Sequence, residues 1–293
     1  MYELKQAGES TYYIDCPSRM GLYNFSGNEV CLIDSGNDKD AGKKVLKILE
    51  EKGWTLSAVI NTHIHADHIG SNKLLHDRTG CKLLYAGFDR AFIEHTILNP
   101  TVLWGGYPPR EIRENKFFIA QSSYAEPLTA QNMPQGLESL PLDGHSASMT
   151  AFKTPDGVWF LGDCLTGLNI IEKYHVSYIY NVEKYIESLN AVRTLPGRLY
   201  IPAHADPVED IAPLADANLA KVNEIIDTLR EICALPRCFE DILQLIFQKY
   251  SLRMDLNQYI LVGATIRSYI SYMHDRDVLR FFADNGKILW ESA

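Results

Sequence analysis

The sequence lacks any long uninterrupted apolar run, and its first residues lack the pattern of a signal peptide. Residues 1–5 read Met-Tyr-Glu-Leu-Lys, without a basic start that leads into an apolar core. A helix needs about 20 apolar residues in a row to cross a bilayer, and no stretch comes near that length. We therefore expect a cytoplasmic protein without a membrane partner.

Closely spaced cysteine pairs are also missing, since no two of the six cysteines form a CxxC motif. This excludes the common cysteine-rich zinc motifs and argues against a disulfide-stapled scaffold. Free buried thiols in a reducing compartment are the expected state. The cysteines are Cys16, Cys31, Cys81, Cys164, Cys233 and Cys238.

An excess of basic residues is absent as well. The chain has 28 Lys and Arg against 37 Asp and Glu, which gives a net charge of −9. Such a balance argues against a general nucleic-acid binder, although a local basic groove would be compatible with it. With 293 residues, 46% of them hydrophobic, the chain can build one large domain or two smaller ones.

The most informative stretch that is present reads Thr-His-Ile-His-Ala-Asp-His over residues 62–68, after an apolar run at residues 56–60. On an extended backbone His63 and His65 point to the same side, and Asp67 and His68 follow a turn. Imidazole and carboxylate are ligands for zinc and similar ions. With 9 histidines in the chain, such a cluster arises by accident in roughly one chain of this kind in 2000, from composition alone. The stretch therefore predicts a metal site.

This heptad resembles the signature of the metallo-β-lactamase-fold hydrolases, which carry three more ligands at strand ends. Here His145 follows a partly apolar stretch, Asp163 ends a strand at residues 158–161, and His204 ends a strand at residues 199–201. The resemblance covers residues 12–208. It implies an α/β fold, the four-layer αββα metallo-β-lactamase sandwich.

The resemblance also implies two divalent metal ions, zinc first, with iron or manganese as alternatives. Two dications about 3.5–4 Å apart can hold a shared water as hydroxide and stabilise the charge that develops on attack. Asp67 could orient this hydroxide and carry a proton to the leaving group, which makes it the candidate catalytic residue. His63, His65 and His145 would bind one ion, Asp67, His68 and His204 the other, and Asp163 would bridge both.

Departures from the family pattern leave the reaction open. After His145 the chain reads Ser146-Ala147-Ser148, and Met149 stands where glyoxalase-II-type thioesterases usually have a second histidine. We expect a hydrolase that uses a metal-bridging hydroxide to attack a small ester, thioester or lactone. The alternatives are a phosphodiesterase or endoribonuclease of the same fold, and a mononuclear iron oxygenase resembling persulfide dioxygenases. A vestigial, non-enzymatic site is disfavoured because no ligand is missing.

Three further features have two interpretations each. Asp34 ends a predicted strand and either supports the histidine loop or forms a local turn. Cys164, beside Asp163, is expected in the core and not among the ligands. The segment 99–135, with Trp104 and Tyr107 among glycines and prolines, either shapes the substrate pocket or is an ordinary surface loop.

Helical periodicity dominates the end of the chain. We divide the sequence into a catalytic domain at residues 1–212 and a smaller, mainly helical domain at residues 213–293. Three helices and a hairpin there resemble a winged-helix module, but residues 254–272 hold only Arg267 as a base. Phosphate binding needs several such charges. We therefore expect this tail to buttress the catalytic domain or to form a homodimer, with a small molecule as substrate and no nucleic acid bound.

Overall fold

Seven strands form the first sheet of the computed structural model, which describes residues 2–293. The strands follow one another in chain order across the sheet. The first four pair antiparallel, and from the fourth onward the pairs are parallel. The strands are β1 (Glu3–Gln6), β2 (Thr11–Asp15), β3 (Met20–Ser26), β4 (Glu29–Ile33), β5 (Thr55–Asn61), β6 (Lys82–Tyr85) and β7 (Glu126–Pro127).

A second sheet of four strands has the order β11-β10-β9-β8, and a separate hairpin lies near the end of the chain. In the second sheet β10 and β11 are parallel, and the other neighbours are antiparallel. These strands are β8 (Glu138–Pro141), β9 (Thr150–Lys153), β10 (Val158–Gly162), β11 (Leu199–Pro202), β12 (Leu279–Asp284) and β13 (Lys287–Ser292).

Eleven helices complete the described part of the chain. Within residues 2–293, none of them combines the length and the apolar character that a bilayer-spanning helix needs. They are α1 (Lys39–Lys52), α2 (Ala66–Ile69), α3 (Asn72–Thr79), α4 (Ala91–Glu94), α5 (Leu98–Trp104), α6 (Arg110–Arg113), α7 (Leu168–Tyr174), α8 (Val182–Arg193), α9 (Ala212–Ile232), α10 (Phe239–Lys249) and α11 (Leu256–His274).

Side chains alternate between the two faces of each sheet, which produces four layers. In β4, Ile33 belongs to the core between the sheets, whereas Leu32 points to the opposite face, where α1 and α3 pack. In β10, Phe160 faces the first sheet and Trp159 faces the helices on the far side. A strand that is buried on both faces needs this apolar character throughout. The αββα sandwich expected from the sequence is confirmed.

Residues 66–79 form two short helices, α2 and α3, and not one continuous helix. The chain breaks at Gly70, where the backbone meets the loop before α1. A Cβ atom added to Gly70 would lie 2.3 Å from the carbonyl carbon of Asn37. Only glycine allows this close approach.

The tail packs on the second sheet through one continuous core. Ile225 of α9, Ile246 of α10 and Ile266 of α11 are buried in the same cluster as Leu189 of α8. The three helices and the hairpin agree with the sequence, and this packing is what a buttressing tail requires. The division at residues 212 and 213 stays a prediction.

We expect Ile266→Ala to lower the free energy of unfolding by about 2–5 kcal/mol, since it removes three buried carbons from this shared core. Ile266 is fully buried. Urea denaturation should show one transition for the whole chain, shifted to lower urea. Gln248→Ala, on an exposed position of α10, is the control and should change stability by less than about 0.5 kcal/mol. Two separate transitions, with only one of them shifted, would show that the tail folds independently.

Candidate metal centre

The seven predicted ligand residues converge at one edge of the sandwich. His63 and His65 follow β5, and Asp67 and His68 lie in α2 immediately after it. The other three follow strand ends of the second sheet. The carboxyl ends of neighbouring parallel strands lie at the same edge, so β10 and β11 deliver their following residues side by side. The remaining ligand candidates are His145 after β8, Asp163 after β10 and His204 after β11.

Four of these residues form a first group in which donor atoms face one another: His63, His65, His145 and Asp163. The Nδ1 atom of His65 lies 3.0 Å from Nε2 of His63 and 2.9 Å from Nε2 of His145. The Oδ2 atom of Asp163 lies 3.4 Å from Nε2 of His145. All four donor atoms are within 4.8 Å of one another, a spacing at which one ion can contact each of them.

A second group contains Asp67, His68 and His204, and it shares Asp163 with the first. Nε2 of His204 lies 3.1 Å from Oδ2 of Asp67 and 3.3 Å from Oδ2 of Asp163. Nε2 of His68 lies 3.2 Å from Oδ1 of Asp163. The two oxygens of Asp163 therefore reach both groups.

Hydrogen bonds on the outer side of the imidazoles fix their orientation. Nδ1 of His145 donates to the carbonyl of Tyr178 at 3.1 Å, and Nδ1 of His204 donates to the carbonyl of Pro17 at 3.0 Å. Each bond fixes the ring and aims Nε2 inward. This arrangement is typical of histidines that bind metals.

Asp34 holds the histidine loop in the same way. Its carboxylate accepts a hydrogen bond from Nδ1 of His68 at 2.8 Å. It also accepts from the backbone N–H and from the hydroxyl of Thr62, both at 2.8 Å. Of the two interpretations of Asp34, support of the loop is the one that these contacts favour.

Burial keeps the three imidazoles of the first group neutral. It lowers the pKa of His63 well below the usual value and that of His65 to about 3, and neighbouring imidazoles add to both effects. Burial lowers the pKa of His145 too. A neutral imidazole offers the lone pair that a metal ion needs.

The second group instead attracts positive charge. Burial alone would lower the pKa of His204, but Asp163 and Asp67 outweigh it and raise that pKa to about 10. Burial would also raise the pKa of Asp67, yet His68 and His204 hold it well below the usual value. Carboxylates that stay ionised in a buried site need compensating cations.

The arrangement fits two metal ions. Imidazole nitrogens that carry no proton face one another in the first group, and buried carboxylates demand positive charge in the second. Oδ1 of Asp163 is buried without a hydrogen-bond partner. A cation in each group would satisfy these atoms.

Loss of the hydrogen bonds that Asp34 accepts from the histidine loop should weaken metal binding. We expect Asp34→Asn to lower the affinity for the metal ions by about 10- to 100-fold, because an amide has one acceptor oxygen and cannot accept from both His68 and the backbone N–H of Thr62. Asparagine tolerates the positive φ of 61° at this position. Competition with a coloured chelator measures the affinity. The control is Asp40→Asn, on an exposed turn of α1, which should bind metal as tightly as the wild-type protein. Equal affinities in the two variants would show that Asp34 does not support the metal ligands.

Two connected lobes of a cavity open at the centre, with volumes of about 310 and 200 Å³. Both are bordered by Phe117, His145, Asp163, Tyr178 and His204. The larger lobe is completed by Leu165, Thr166, Ile170, Tyr174, Val176, Ser177 and Gln258. The smaller lobe is completed by His65, Asp67, Asn99, Leu103, Phe118 and Leu261.

The segment 99–135 does reach the cavity, but not through its most conspicuous aromatics. Phe117 and Phe118 line it, whereas Trp104 and Tyr107 do not and are exposed to solvent. The guanidinium carbon of Arg113 instead lies 5.3 Å from the centre of the Tyr107 ring. Residues 104–109 therefore do not line the cavity, although other residues of the segment do.

Two wall residues, Gln258 and Leu261, come from α11 in the tail, and sequence reasoning missed both. The helical periodicity of residues 259–272 placed Leu261 but not Gln258 on a helix, and no local pattern shows which distant surface that helix covers. Cys164 is buried and lies in neither donor group, as expected. All six cysteines are unpaired, and five are buried, with Cys238 half-buried.

Comparison with known proteins places this site in a broad family. The family model described as the metallo-beta-lactamase superfamily matches residues 13–204. The hydroxyacylglutathione hydrolase of Methylococcus capsulatus is 29% identical over 64% of this chain and 64% of its own length. The chain therefore spans less than two thirds of that relative. The hydroxyacylglutathione hydrolase of Erythrobacter litoralis is 24% identical over 70% of this chain and 71% of its own length.

Solved structures match along almost the entire chain. A beta-lactamase domain protein from Burkholderia ambifaria has a TM-score of 0.76 at 15% identity, covering 99% of this chain and 94% of its own. A metallo-beta-lactamase family protein from Thermus thermophilus has a TM-score of 0.73 at 17% identity, covering 97% and 99%. At such identities the likeness establishes the fold, including the helical tail.

Proposed function

This chain belongs to the metallo-beta-lactamase superfamily, and on that premise we propose that it is a metal-dependent hydrolase of small thioesters or esters, lactones included. The observation that supports this proposal most is the pair of donor groups joined by Asp163. The names of the two hydroxyacylglutathione hydrolases agree with thioester hydrolysis.

In this proposal His63, His65 and His145 hold one ion, Asp67, His68 and His204 hold the other, and Asp163 binds both. When bound, the two ions would polarise the substrate carbonyl and lower the pKa of the attacking water. Zinc suits these nitrogen and oxygen ligands, and iron or manganese are the alternatives.

Asp67 is the proposed proton carrier. Its Oδ2 atom accepts a hydrogen bond from the Ser18 hydroxyl at 3.1 Å and lies 3.1 Å from Nε2 of His204, so the carboxylate has a fixed orientation. It takes a proton from the attacking water as the new C–O bond forms. It then returns that proton to the departing thiolate or alkoxide as the bond to the acyl carbon breaks.

The two alternative reactions have less support. A mononuclear oxygenase would not need the second donor group, which is complete here. A phosphodiesterase would gain from basic residues near the centre, and among residues 2–293 no lysine or arginine lines either lobe. Cytoplasmic location and a homodimer stay predictions.

The experiment is a substrate panel with the full-length protein reconstituted with zinc. It should include a neutral thioester, a p-nitrophenyl ester, a lactone and bis(p-nitrophenyl) phosphate. The proposal expects metal-dependent hydrolysis of at least one carboxylic substrate, abolished by a chelator and restored by added zinc. Turnover of the phosphodiester alone would favour the nuclease alternative.

A further inference from the structure

Both lobes of the cavity have mainly apolar walls. Leu165, Ile170 and Val176 line the larger lobe, and Leu103 and Leu261 line the smaller one. Phe117 stands at both lobes although most of its side chain is exposed. A surface of this kind binds apolar groups by removing them from water.

Apart from the metal centre, the lobes have no fixed charge. Across residues 2–293, no lysine or arginine side chain lines either of them. The carboxylates of Asp67 and Asp163 are the acidic groups at the wall, and both belong to the donor groups. A negatively charged substrate group would find no cation in the lobes outside the metal centre.

Lysines adjoin two lining residues in sequence, but both are exposed. Lys116, beside Phe117, lines a separate surface cleft. Lys173, beside Tyr174, has its Nζ atom 4.8 Å from the centre of the Tyr174 ring. These ammonium groups stay in water and do not change the character of the lobes.

The larger lobe does contain neutral hydrogen-bonding side chains. Thr166, Ser177 and Gln258 lie among its apolar residues. The amide of Gln258 has one donor group and one acceptor oxygen, which suits an uncharged amide or hydroxyl of a ligand. Neutral polar groups among apolar walls select orientation without requiring charge.

From these walls we infer that the substrate is an uncharged thioester or ester, apolar on at least one side of its carbonyl, and not a thioester of glutathione. The inference rests on the proposed function and names its substrate class. The glutathione part of such a thioester carries two carboxylates and one ammonium group. A buried carboxylate without a cationic partner loses its hydration without compensation.

The test compares two thioesters that share one acyl group. S-hexanoyl-N-acetylcysteamine has a neutral leaving thiol, and S-hexanoylglutathione has an anionic one. With the zinc-loaded full-length protein we expect kcat/KM to be at least about 30-fold higher for the neutral thioester, the scale of an unpaired buried charge. Equal values, or a preference for the glutathione thioester, would overturn the inference.

A positive charge added to the larger lobe should weaken the preference for the neutral thioester. Gln258→Lys should shift the ratio of the two kcat/KM values toward the glutathione thioester by about two- to fivefold, the scale of a partly exposed ion pair. Gln248→Lys makes the same change on an exposed position of α10, outside both lobes, and should leave the ratio unchanged. An unchanged ratio in both variants would contradict a ligand group in the larger lobe.

Binding of thioethers, which cannot be hydrolysed, tests the inference independently of the proposed function. S-hexyl-N-acetylcysteamine and S-hexylglutathione cannot be hydrolysed, and calorimetric titration gives their Kd values directly. If neither these thioesters nor any carboxylic substrate of the panel is hydrolysed, the proposed function fails, and tighter binding of the neutral thioether still supports the inference. If both thioesters are hydrolysed but S-hexylglutathione binds as tightly or better, only the inference fails. Absence of binding by both thioethers would overturn it as well.

Discussion

Replacement of Asp67 by asparagine should lower kcat by at least about 100-fold, the scale of general acid–base catalysis by one positioned group. The amide has nearly the same shape but cannot take a proton from water at neutral pH. Asp67 lies in α2 and contacts Ser18 and His204, whereas the sandwich cores do not include it. The variant should therefore keep its fold.

The measurement is steady-state kinetics at saturating zinc, with circular dichroism as a check of the fold. Asp77→Asn, on an exposed part of α3, makes the same chemical change far from the centre and should retain full turnover. Metal content has to be determined for both proteins, because Asp67 is also a proposed ligand. Near-normal turnover by a fully loaded Asp67→Asn protein would show that another group handles the proton.

Replacement of Asp163 by alanine should remove metal from both donor groups at once. Its two oxygens reach His145, His68 and His204, and among residues 2–293 Asp163 is the one residue that belongs to both donor groups. We expect the metal content to fall below one ion per chain and hydrolysis to fall by at least about 1000-fold, since the chemistry depends on both ions.

A matched variant at Asp89 distinguishes a specific loss of metal from the general effect of removing a buried carboxylate. Asp89 is buried too, and it accepts a hydrogen bond from Tyr85 at 2.7 Å but lies outside both donor groups. Asp89→Ala should lower stability and leave the metal content unchanged. If Asp163→Ala retains one tightly bound ion, the carboxylate serves only one group and the bridging role is wrong.

Much of this site could be predicted because most of the ligands, though not His145, follow a short apolar strand. The run before His63 is buried on both faces in the structure, and such runs are visible in a sequence without any knowledge of distant contacts. The bounds of α1 were also predictable. Asp38 accepts hydrogen bonds at its start, and Gly53 takes a left-handed conformation at its end.

The cavity walls could not be predicted in the same way, because they depend on packing between distant segments. Phe118 of the segment 99–135 packs against Ile260 of α11, and this contact brings Gln258 and Leu261 to the metal centre. Neither residue differs in kind from others on its helix. The exposed Trp104, the last residue of α5, was misleading for a related reason, since a conspicuous aromatic in the sequence does not reveal which way its side chain points.

The most direct test of the account is the metal content of the full-length wild-type protein. The protein should be purified, incubated with excess zinc, passed through a desalting column and analysed by inductively coupled plasma mass spectrometry. Two donor groups that share Asp163 predict close to two ions per chain. A value close to one that does not rise when more metal is supplied would contradict the dinuclear centre.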